Sequence, residues 1–220
     1  MNHVMATQKK IPQHFHEDFN KGSLDEKQAH SNPFKQFEKW YAQAFDANLF
    51  EPNAMTLGTS TKRGKPSSRV VFLRGVEKNG FVFFTNYNSR KGKELKENPY
   101  ACLLFYWPQL ERQVRIEGKI VFAPEKISDT YFSNRPRNSR IGAWASPQST
   151  VLKNRNELEA LVSEYTHKYT EEVPRPKNWG GYLLIPSYYE FWQGRPSRLH
   201  DRICYTKQKN GKWKKQRLAP

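Results

Sequence analysis

The stretch of residues 54–122 constrains the fold most, because short apolar runs alternate there with turn signals. Strands are predicted at residues 54–61, 67–74, 81–85, 100–107 and 113–122. Asn79-Gly80, between the second and third of these strands, is a strong signal for a tight hairpin turn. Several strands joined by short turns are typical of a barrel, so we expect a mainly β fold with helices.

More strands are predicted after this stretch, at residues 179–186, 189–192, 198–205 and 212–217. Helices are predicted at residues 89–97, 125–134 and 153–168. Another helix should begin at Asn32 and Pro33, because asparagine caps helices and proline suits their first turn. Its apolar residues recur at helical spacing and predict one face in the core: Phe34, Phe37, Trp40, Tyr41, Ala44 and Phe45.

The domain organisation follows from composition along the chain. Residues 1–30 are polar with scattered charge, which predicts a flexible N-terminal arm whose His14 and His16 are solvated. Residues 31–220 are interpreted as a single domain. Inside it we expect a loop at 135–150, rich in proline, arginine and serine, and a proline-rich linker at 172–177.

The net charge of +16 favours anionic partners: nucleic acid, an acidic membrane surface or phosphorylated small molecules. Apolar runs are too short to span a membrane, and the N-terminus lacks an apolar signal core. Cys102 and Cys204 form no metal-binding pattern and lie in apolar stretches. We expect buried thiols in a cytoplasmic protein without a metal site, although two cysteines leave a disulfide open.

Residues 190–202 read Glu-Phe-Trp-Gln-Gly-Arg-Pro-Ser-Arg-Leu-His-Asp-Arg. If residues 198–202 are extended, Arg198, His200 and Arg202 share one face of a strand. Three such groups could bind an anion, and the histidine could also move protons. The alternative is a solvated basic edge strand, but the preceding aromatic pair favours a flat, phosphorylated ligand.

Other candidate groups also suit an anionic ligand. Near Ser89, a strand gives way to a helix, and Arg90 and Lys91 add charge to the free N–H groups of a helix start. Tyr131 and Arg135 are four residues apart and, with Ser139, could clamp a phosphate. An ordinary capped helix and a basic surface loop are the respective alternatives.

Polar residues on predicted strands and loops complete the candidates. Arg69 and Arg74 bracket an apolar strand, and Gln113 could hydrogen-bond the edge of a heterocycle from a barrel strand. Residues 144–149 supply small polar donors in a loop. Solvated strand ends and an exposed polar face are the alternatives for these groups.

In this order, the motifs resemble those of the pyridoxine (pyridoxamine) 5′-phosphate oxidase family. The pattern at 190–202 is the most specific of them, and the matching stretches span most of the chain: 69–74, 84–91, 111–118, 131–149, 179–181, 190–202 and 217–220. The resemblance implies an FMN-binding split β-barrel that works as a homodimer with FMN in the subunit interface. It also implies oxidation of pyridoxine or pyridoxamine 5′-phosphate to pyridoxal 5′-phosphate. In the reaction that the resemblance implies, hydride would leave the substrate C4′ carbon for flavin N5, and oxygen would be reduced to hydrogen peroxide.

The resemblance also assigns roles to residues. The implied FMN contacts are Arg69, Val70, Val71, Phe72, Leu73, Arg74, Phe84, Thr85, Arg90, Lys91, Gln113, Gln148, Ser149, Trp192 and Arg202. The implied substrate contacts are Arg74, Tyr131, Arg135, Ser139, Arg198 and His200. Of these, Arg198 would orient and polarise the substrate, and His200 would help by hydrogen bonding or proton handling.

The sequence departs from the family pattern at three places. Arg74 stands where a lysine is usual, which keeps the charge but changes the geometry. Phe84 stands where tyrosine is common. Residues 16–19 read His-Glu-Asp-Phe where some members place arginine and tyrosine over the substrate.

Two other functions stay open at this point. The first is a carrier of flavin or pyridoxal phosphate on the same barrel, and the presence of Arg198 and His200 favours the enzyme over it. The second is a nucleic-acid-binding protein, but the basic residues are spread along the chain and match no binding motif. We therefore expect small phosphorylated ligands, and neither nucleic acid nor membrane, as partners.

Overall fold

The computed structural model describes residues 18–77 and 80–220, so Asn79, His14 and His16 lie outside the described residues. Its helices are α1 (Pro33–Asp46), α2 (Arg90–Glu97), α3 (Glu125–Ser133), α4 (Arg137–Ala145) and α5 (Arg155–Lys168). Its strands are β1 (Ala54–Ser60), β2 (Pro66–Phe72), β3 (Gly75–Glu77), β4 (Gly80–Asn86), β5 (Tyr100–Trp107), β6 (Arg112–Phe122), β7 (Trp179–Gln193), β8 (Asp201–Lys207) and β9 (Trp213–Leu218). The prediction of a mainly β fold with helices is confirmed.

The described strands form one antiparallel sheet in the order β2-β1-β5-β6-β7-β4-β3, with β8 paired to β7 and β9 paired to β8. β7 is continuous where two strands were predicted, and it has 15 residues. One edge of β7 pairs with β6, whereas the other edge pairs first with β4 and then with β8. The register with β6 shifts between Glu117 and Gly118, which face Tyr188 and Pro186. This bulge lets the strand pass a proline without ending.

Helix α1 supplies the predicted apolar face to the core. The Phe37 ring lies 4.9 Å from that of Phe81 and 5.1 Å from that of Phe105, and Trp40 lies 5.3 Å from Phe191. Asn32 accepts a hydrogen bond from the helix start, as the capping pattern predicts. Phe45, at the edge of the predicted face, is instead 49% exposed.

The described part of the predicted arm, residues 18–30, packs against the rest of the chain. Leu24 and Ala29 are buried in the main core, and Lys215 of β9 donates to the Ala29 carbonyl at 2.9 Å. Arg217, also on β9, forms an ion pair with Glu26 at 2.6 Å. Apolar burial and these contacts therefore attach residues 24–29 to β9.

Two local predictions are wrong. The predicted loop at 135–150 contains α4, because Pro136, with φ −51°, directly precedes a new helical turn and starts it. Ser139 is therefore on a helix. Cys102 is only half-buried, whereas Cys204 is buried, and both are free thiols. Among the described residues, no helix is long and apolar enough to cross a membrane.

We expect Gly118→Ala to destabilise the fold, because a Cβ there would lie 2.1 Å from the Ile185 carbonyl oxygen at the bulge. Overpacking against backbone should lower the free energy of unfolding by about 1–3 kcal/mol. Gly75→Ala is the matched control, since its Cβ would meet nothing within 4 Å. Urea unfolding of both variants tests this, and equal losses would contradict it.

Candidate active site

A cavity of about 480 Å³ lies between β2, β4, α2, α3 and α4. Most residues predicted to bind cofactor or substrate line it: Arg69, Val70, Val71, Phe72, Arg74, Phe84, Thr85, Lys91, Tyr131, Arg135, Ser139 and Gln148. The other lining residues are Asn86, Gly142, Ala143, Ser146 and Trp179. Of these, only Ser146 was expected as a polar donor, in the predicted loop at 144–149. Leu73 lies outside the lining, with its side chain 5% exposed in the core.

Three parallel aromatic rings form one wall of the cavity. Phe84 of β4 stacks on Tyr131 of α3 with ring centroids 3.9 Å apart and planes 3° apart. On β7, Trp179 lies 5.5 Å from Phe84 at 6°. The Arg135 guanidinium sits over the Trp179 ring, 4.6 Å from its centroid. Such a wall offers stacking to a flat ligand and cationic charge at its edge.

Two cations, the buried Lys91 of α2 and the half-buried Arg69 of β2, line the cavity at its end next to α2. Lys91 is 9% exposed, and its Nζ donates to Thr85 Oγ1 and Gln148 Oε1, both at 3.2 Å. Burial lowers the pKa of Lys91, and repulsion from Arg69 lowers it further. Two cations held this close favour an anion between them.

Arg135 supplies a second cationic point. Its NH1 atom is buried and has no hydrogen-bond partner in the described structure. Burial lowers the pKa of Arg135, and Arg74 lowers it further, whereas Tyr131 opposes this. A buried, unsatisfied guanidinium nitrogen is costly unless a ligand accepts its hydrogen. Ser139, also lining the cavity, adds a hydroxyl, so an anionic group suits this place.

Arg90 and Ser149 lie beside the main cavity rather than in it. Both line an adjoining cavity of about 460 Å³, and Gln148 is common to the two cavities. Ser89 caps α2 by accepting a hydrogen bond from Gly92 N at 3.3 Å, as predicted for the helix start. The start of α2 is therefore bordered by both cavities.

The remaining predicted residues form a second group on β6, β7 and β8. Gln113 pairs with Trp192 across the sheet, and Trp192 pairs with Arg202. The His200 ring lies 4.6 Å from Trp192. Arg198, which is exposed, precedes β8 in the same connection.

The strand predicted at residues 198–205 begins three residues later than expected, so residues 198–200 are not extended as the shared face of Arg198, His200 and Arg202 requires. Pro196–Arg198 forms a 3₁₀ turn, and β8 begins only at Asp201. Ser197 and Arg198 have φ values of 55° and 60°, in the left-handed region. Pro196 favours the turn through its fixed φ, so strand alternation cannot align Arg198 with His200. Strain of this kind is found preferentially at functional sites.

The hydrogen bond at His200 decides which ring nitrogen carries its proton. The Arg195 backbone N–H donates to His200 Nδ1 at 3.1 Å. Nδ1 must therefore present a lone pair, which leaves the proton of a neutral imidazole on Nε2. Phe19 packs 5.6 Å from both His200 and Trp192. His200 can thus act as a hydrogen-bond donor through Nε2.

A buried carboxylate fixes Arg202. Glu190 is 3% exposed and accepts hydrogen bonds from Arg202 Nε at 2.9 Å and Arg115 NH2 at 2.6 Å. Burial alone would raise the pKa of Glu190, but these hydrogen bonds hold it below its usual value. Arg202 NH1 also donates to the Ala219 carbonyl at 2.8 Å. These contacts leave Arg202 little freedom to turn.

The two groups of predicted residues are separated along β7. Trp179 lines the cavity near one end of this strand and Trp192 lies near the other. Thirteen positions separate them, about 43 Å of strand at about 3.3 Å per residue. The second group, residues 113 and 192–202, contributes no lining residue to the cavity.

Comparison with known families matches most of the chain. A family model described as pyridoxamine 5′-phosphate oxidase matches residues 41–169. A second model, described as the pyridoxine 5′-phosphate oxidase C-terminal dimerisation region, matches residues 179–220. The second match contains β7, β8 and β9, and with them Trp192 and Arg202.

Individual relatives and structures agree with the family models. A pyridoxine/pyridoxamine 5′-phosphate oxidase of Paraburkholderia phymatum is 57% identical over 203 residues, which cover 92% of this chain and 96% of the relative. Its counterpart in Paraburkholderia xenovorans is 55% identical over 204 residues, with the same coverage. The crystal structure of PhzG from Burkholderia lata, in complex with tetrahydrophenazine-1-carboxylic acid, is 34% identical with a TM-score of 0.83. It covers 90% of this chain and 100% of its own.

A more distant structure supports the fold alone. It is a pyridoxamine 5′-phosphate oxidase-related, FMN-binding protein of Nostoc punctiforme, 18% identical with a TM-score of 0.67. It covers 84% of this chain and 97% of its own. The family models and the relatives at 55–57% identity show that the chain belongs to the pyridoxine/pyridoxamine 5′-phosphate oxidase family.

Proposed function

We propose that this protein is an FMN-dependent oxidase that converts pyridoxine or pyridoxamine 5′-phosphate to pyridoxal 5′-phosphate. The observation that carries the proposal is the cavity with a parallel aromatic wall and two separate cationic points, Arg69 with Lys91 and Arg135. Two phosphorylated aromatic ligands, a flavin and a vitamer, require these features. The names of the 55–57% identical relatives support the same reaction.

The described residues suit FMN by their chemistry. Arg69 and Lys91 would hold its phosphate beside the start of α2, and Thr85 and Gln148 would offer hydrogen bonds nearby. When bound, FMN would supply the redox chemistry, namely acceptance of a hydride from the substrate C4′ carbon and reoxidation by oxygen to give hydrogen peroxide. The protein would hold the substrate ring against the flavin ring in an orientation that permits hydride transfer.

Tyr131, Arg135 and Ser139 would bind the substrate phosphate. The unpartnered NH1 of Arg135 supports this role, because a phosphate oxygen would satisfy it. Arg74 lines the same cavity, and its guanidinium rests 4.9 Å from the Phe72 ring centroid. A planar guanidinium can stack on an aromatic ring in this way. We therefore expect Arg74 to contact the substrate with a geometry different from that of a lysine at this position.

A homodimer would complete the site. In a two-fold dimer, the second group of one chain can face the cavity of the other, whereas within the described chain this group lines no part of the cavity. The matched dimerisation region carries most of this group and supports the arrangement. Arg198 would then orient and polarise the substrate, while His200 donates a hydrogen bond through Nε2.

A second candidate is oxidation of a different anionic aromatic compound. PhzG, with a TM-score of 0.83, was solved in complex with tetrahydrophenazine-1-carboxylic acid. The unusual Arg74 lies where substrate contact is expected and suits a carboxylate equally well. Substrate competition would separate the two candidates.

The first test is anaerobic mixing of the FMN-loaded protein with pyridoxine 5′-phosphate or pyridoxamine 5′-phosphate. We expect loss of the flavin absorbance, its return on admitting air, and formation of pyridoxal 5′-phosphate. Tetrahydrophenazine-1-carboxylic acid is the matched comparison. Reduction by this acid alone would favour the second candidate, and a flavin that stays oxidised with every compound would contradict the oxidase.

A variant at the start of α2 should lose FMN affinity, whereas a variant of the second group should lose turnover. Arg90→Ala should weaken FMN binding about tenfold, because a charged hydrogen-bond donor is removed from the phosphate end. Arg198→Ala should lower kcat by about a hundredfold or more while FMN affinity stays within about twofold. Flavin fluorescence titration and steady-state kinetics measure both. Normal turnover in Arg198→Ala would refute its substrate role.

Mixed dimers test the shared site directly. Arg135→Ala and Arg198→Ala homodimers should both be nearly inactive. A heterodimer purified with two different tags carries one site with both changes and one with neither, so about half of the wild-type activity should return. If each site came from one chain, the heterodimer would stay inactive.

A further inference from the structure

Glu94 lies behind the proposed phosphate end of the cavity and has no role in the mechanism proposed above. It belongs to α2, and its side chain is 6% exposed. Its Oε1 accepts a hydrogen bond from Arg90 Nε at 2.9 Å, and its Oε2 lies 3.5 Å from Arg69 NH2. One buried carboxylate therefore lies between both arginines expected at the FMN phosphate.

Two hydroxyl groups connect the same carboxylate to Arg69. Thr59 Oγ1 and Ser67 Oγ donate to Glu94 Oε2 at 2.5 and 2.6 Å. The same hydroxyls accept from Arg69, NH1 to Thr59 and NH2 to Ser67, each at 2.5 Å. A hydroxyl has one hydrogen to donate, so its direction is fixed by a donor on one side and an acceptor on the other.

The network requires Glu94 to be ionised, because a carboxylate that accepts every hydrogen bond has no proton to share. Burial would raise the pKa of Glu94, but hydrogen bonds from Ser67, Thr59 and Arg90 lower it to about 2. The carboxylate is therefore charged at any working pH, and both arginines keep their orientation.

We propose that Glu94 is a positioning residue that aligns Arg69 and Arg90 on the flavin phosphate and so gives the protein its preference for FMN over riboflavin. This inference rests on the proposed FMN function. Glu94 lines the adjoining cavity and not the main one, and its carboxylate would act on the flavin phosphate through the two arginines. Its effect should be confined to the phosphate, since riboflavin has the same ring system without that group.

Tighter FMN binding in a Glu94 variant is also physically possible, so the measurement can contradict the proposal. Removing a negative charge near the phosphate would by itself strengthen FMN binding. A glutamine, however, presents an NH2 group to either Arg90 or the two hydroxyls, where the carboxylate accepted hydrogen bonds. We expect this loss of alignment to outweigh the gain in charge.

The experiment compares dissociation constants of FMN and riboflavin for the full-length protein by flavin fluorescence. Glu94→Gln should weaken FMN binding about tenfold and leave riboflavin within about twofold. Glu38→Gln is the matched control, because it makes the same charge change at an exposed position of α1 that lines neither cavity, and it should alter neither constant. Ser67→Ala keeps the carboxylate but removes one hydroxyl, so it should weaken FMN alone by about fivefold.

Each other outcome overturns the inference. Equal loss of FMN and riboflavin would make Glu94 a part of the fold only, and unchanged or tighter FMN binding would show that alignment is not its role. If Glu94→Gln fails to fold, Ser67→Ala decides by the same criterion. A wild-type protein that binds FMN no better than riboflavin would instead refute the proposed function itself.

Discussion

Backbone pairing along β7 joins both parts of the proposed site. Its edge towards β6 is paired over nearly its full length, while its other edge is divided between β4 and β8. The cavity wall at Trp179 and the group around Trp192 are thus borne by one strand, and their relative direction depends on how that strand bends. The bulge opposite Pro186 sets the bend, and Gly118 is required there because a side chain would strike the facing backbone.

Buried carboxylates make the high density of cations tolerable. The chain has a net charge of +16, and arginines occur in both parts of the proposed site. Glu94 pairs with arginines beside the cavity, and Glu190 pairs with Arg202 and Arg115 in the second group. A buried charge without a partner is costly, so each carboxylate restricts the arginines to a few orientations. In both groups, the arginines that are expected to bind ligand therefore also form the ion pairs of the fold.

Sequence periodicity was sufficient for features that depend on local spacing. Phe37 and Trp40 share a helical face and lie in the core as predicted, and the order of motifs identified the family. Periodicity was insufficient where contacts between residues far apart in the sequence determine the backbone conformation. Ser197 N–H donates to Asp18, 179 residues away, at 3.3 Å, and the left-handed turn beside it has no local signal beyond its proline. Trp179 was read as strand, and only the tertiary structure brings its ring parallel to Phe84.

The ion pair between Glu26 and Arg217 joins residues that are 191 positions apart. Leu24 and Ala29 add apolar burial to the same attachment. A ribosome exposes residues 24–29 long before it has made β9, so this segment has no docking surface during most of synthesis. Long-range contacts of this kind slow folding, because the chain must first close a large loop. The attachment of residues 24–29 to β9 should therefore be among the last contacts to form in the newborn chain.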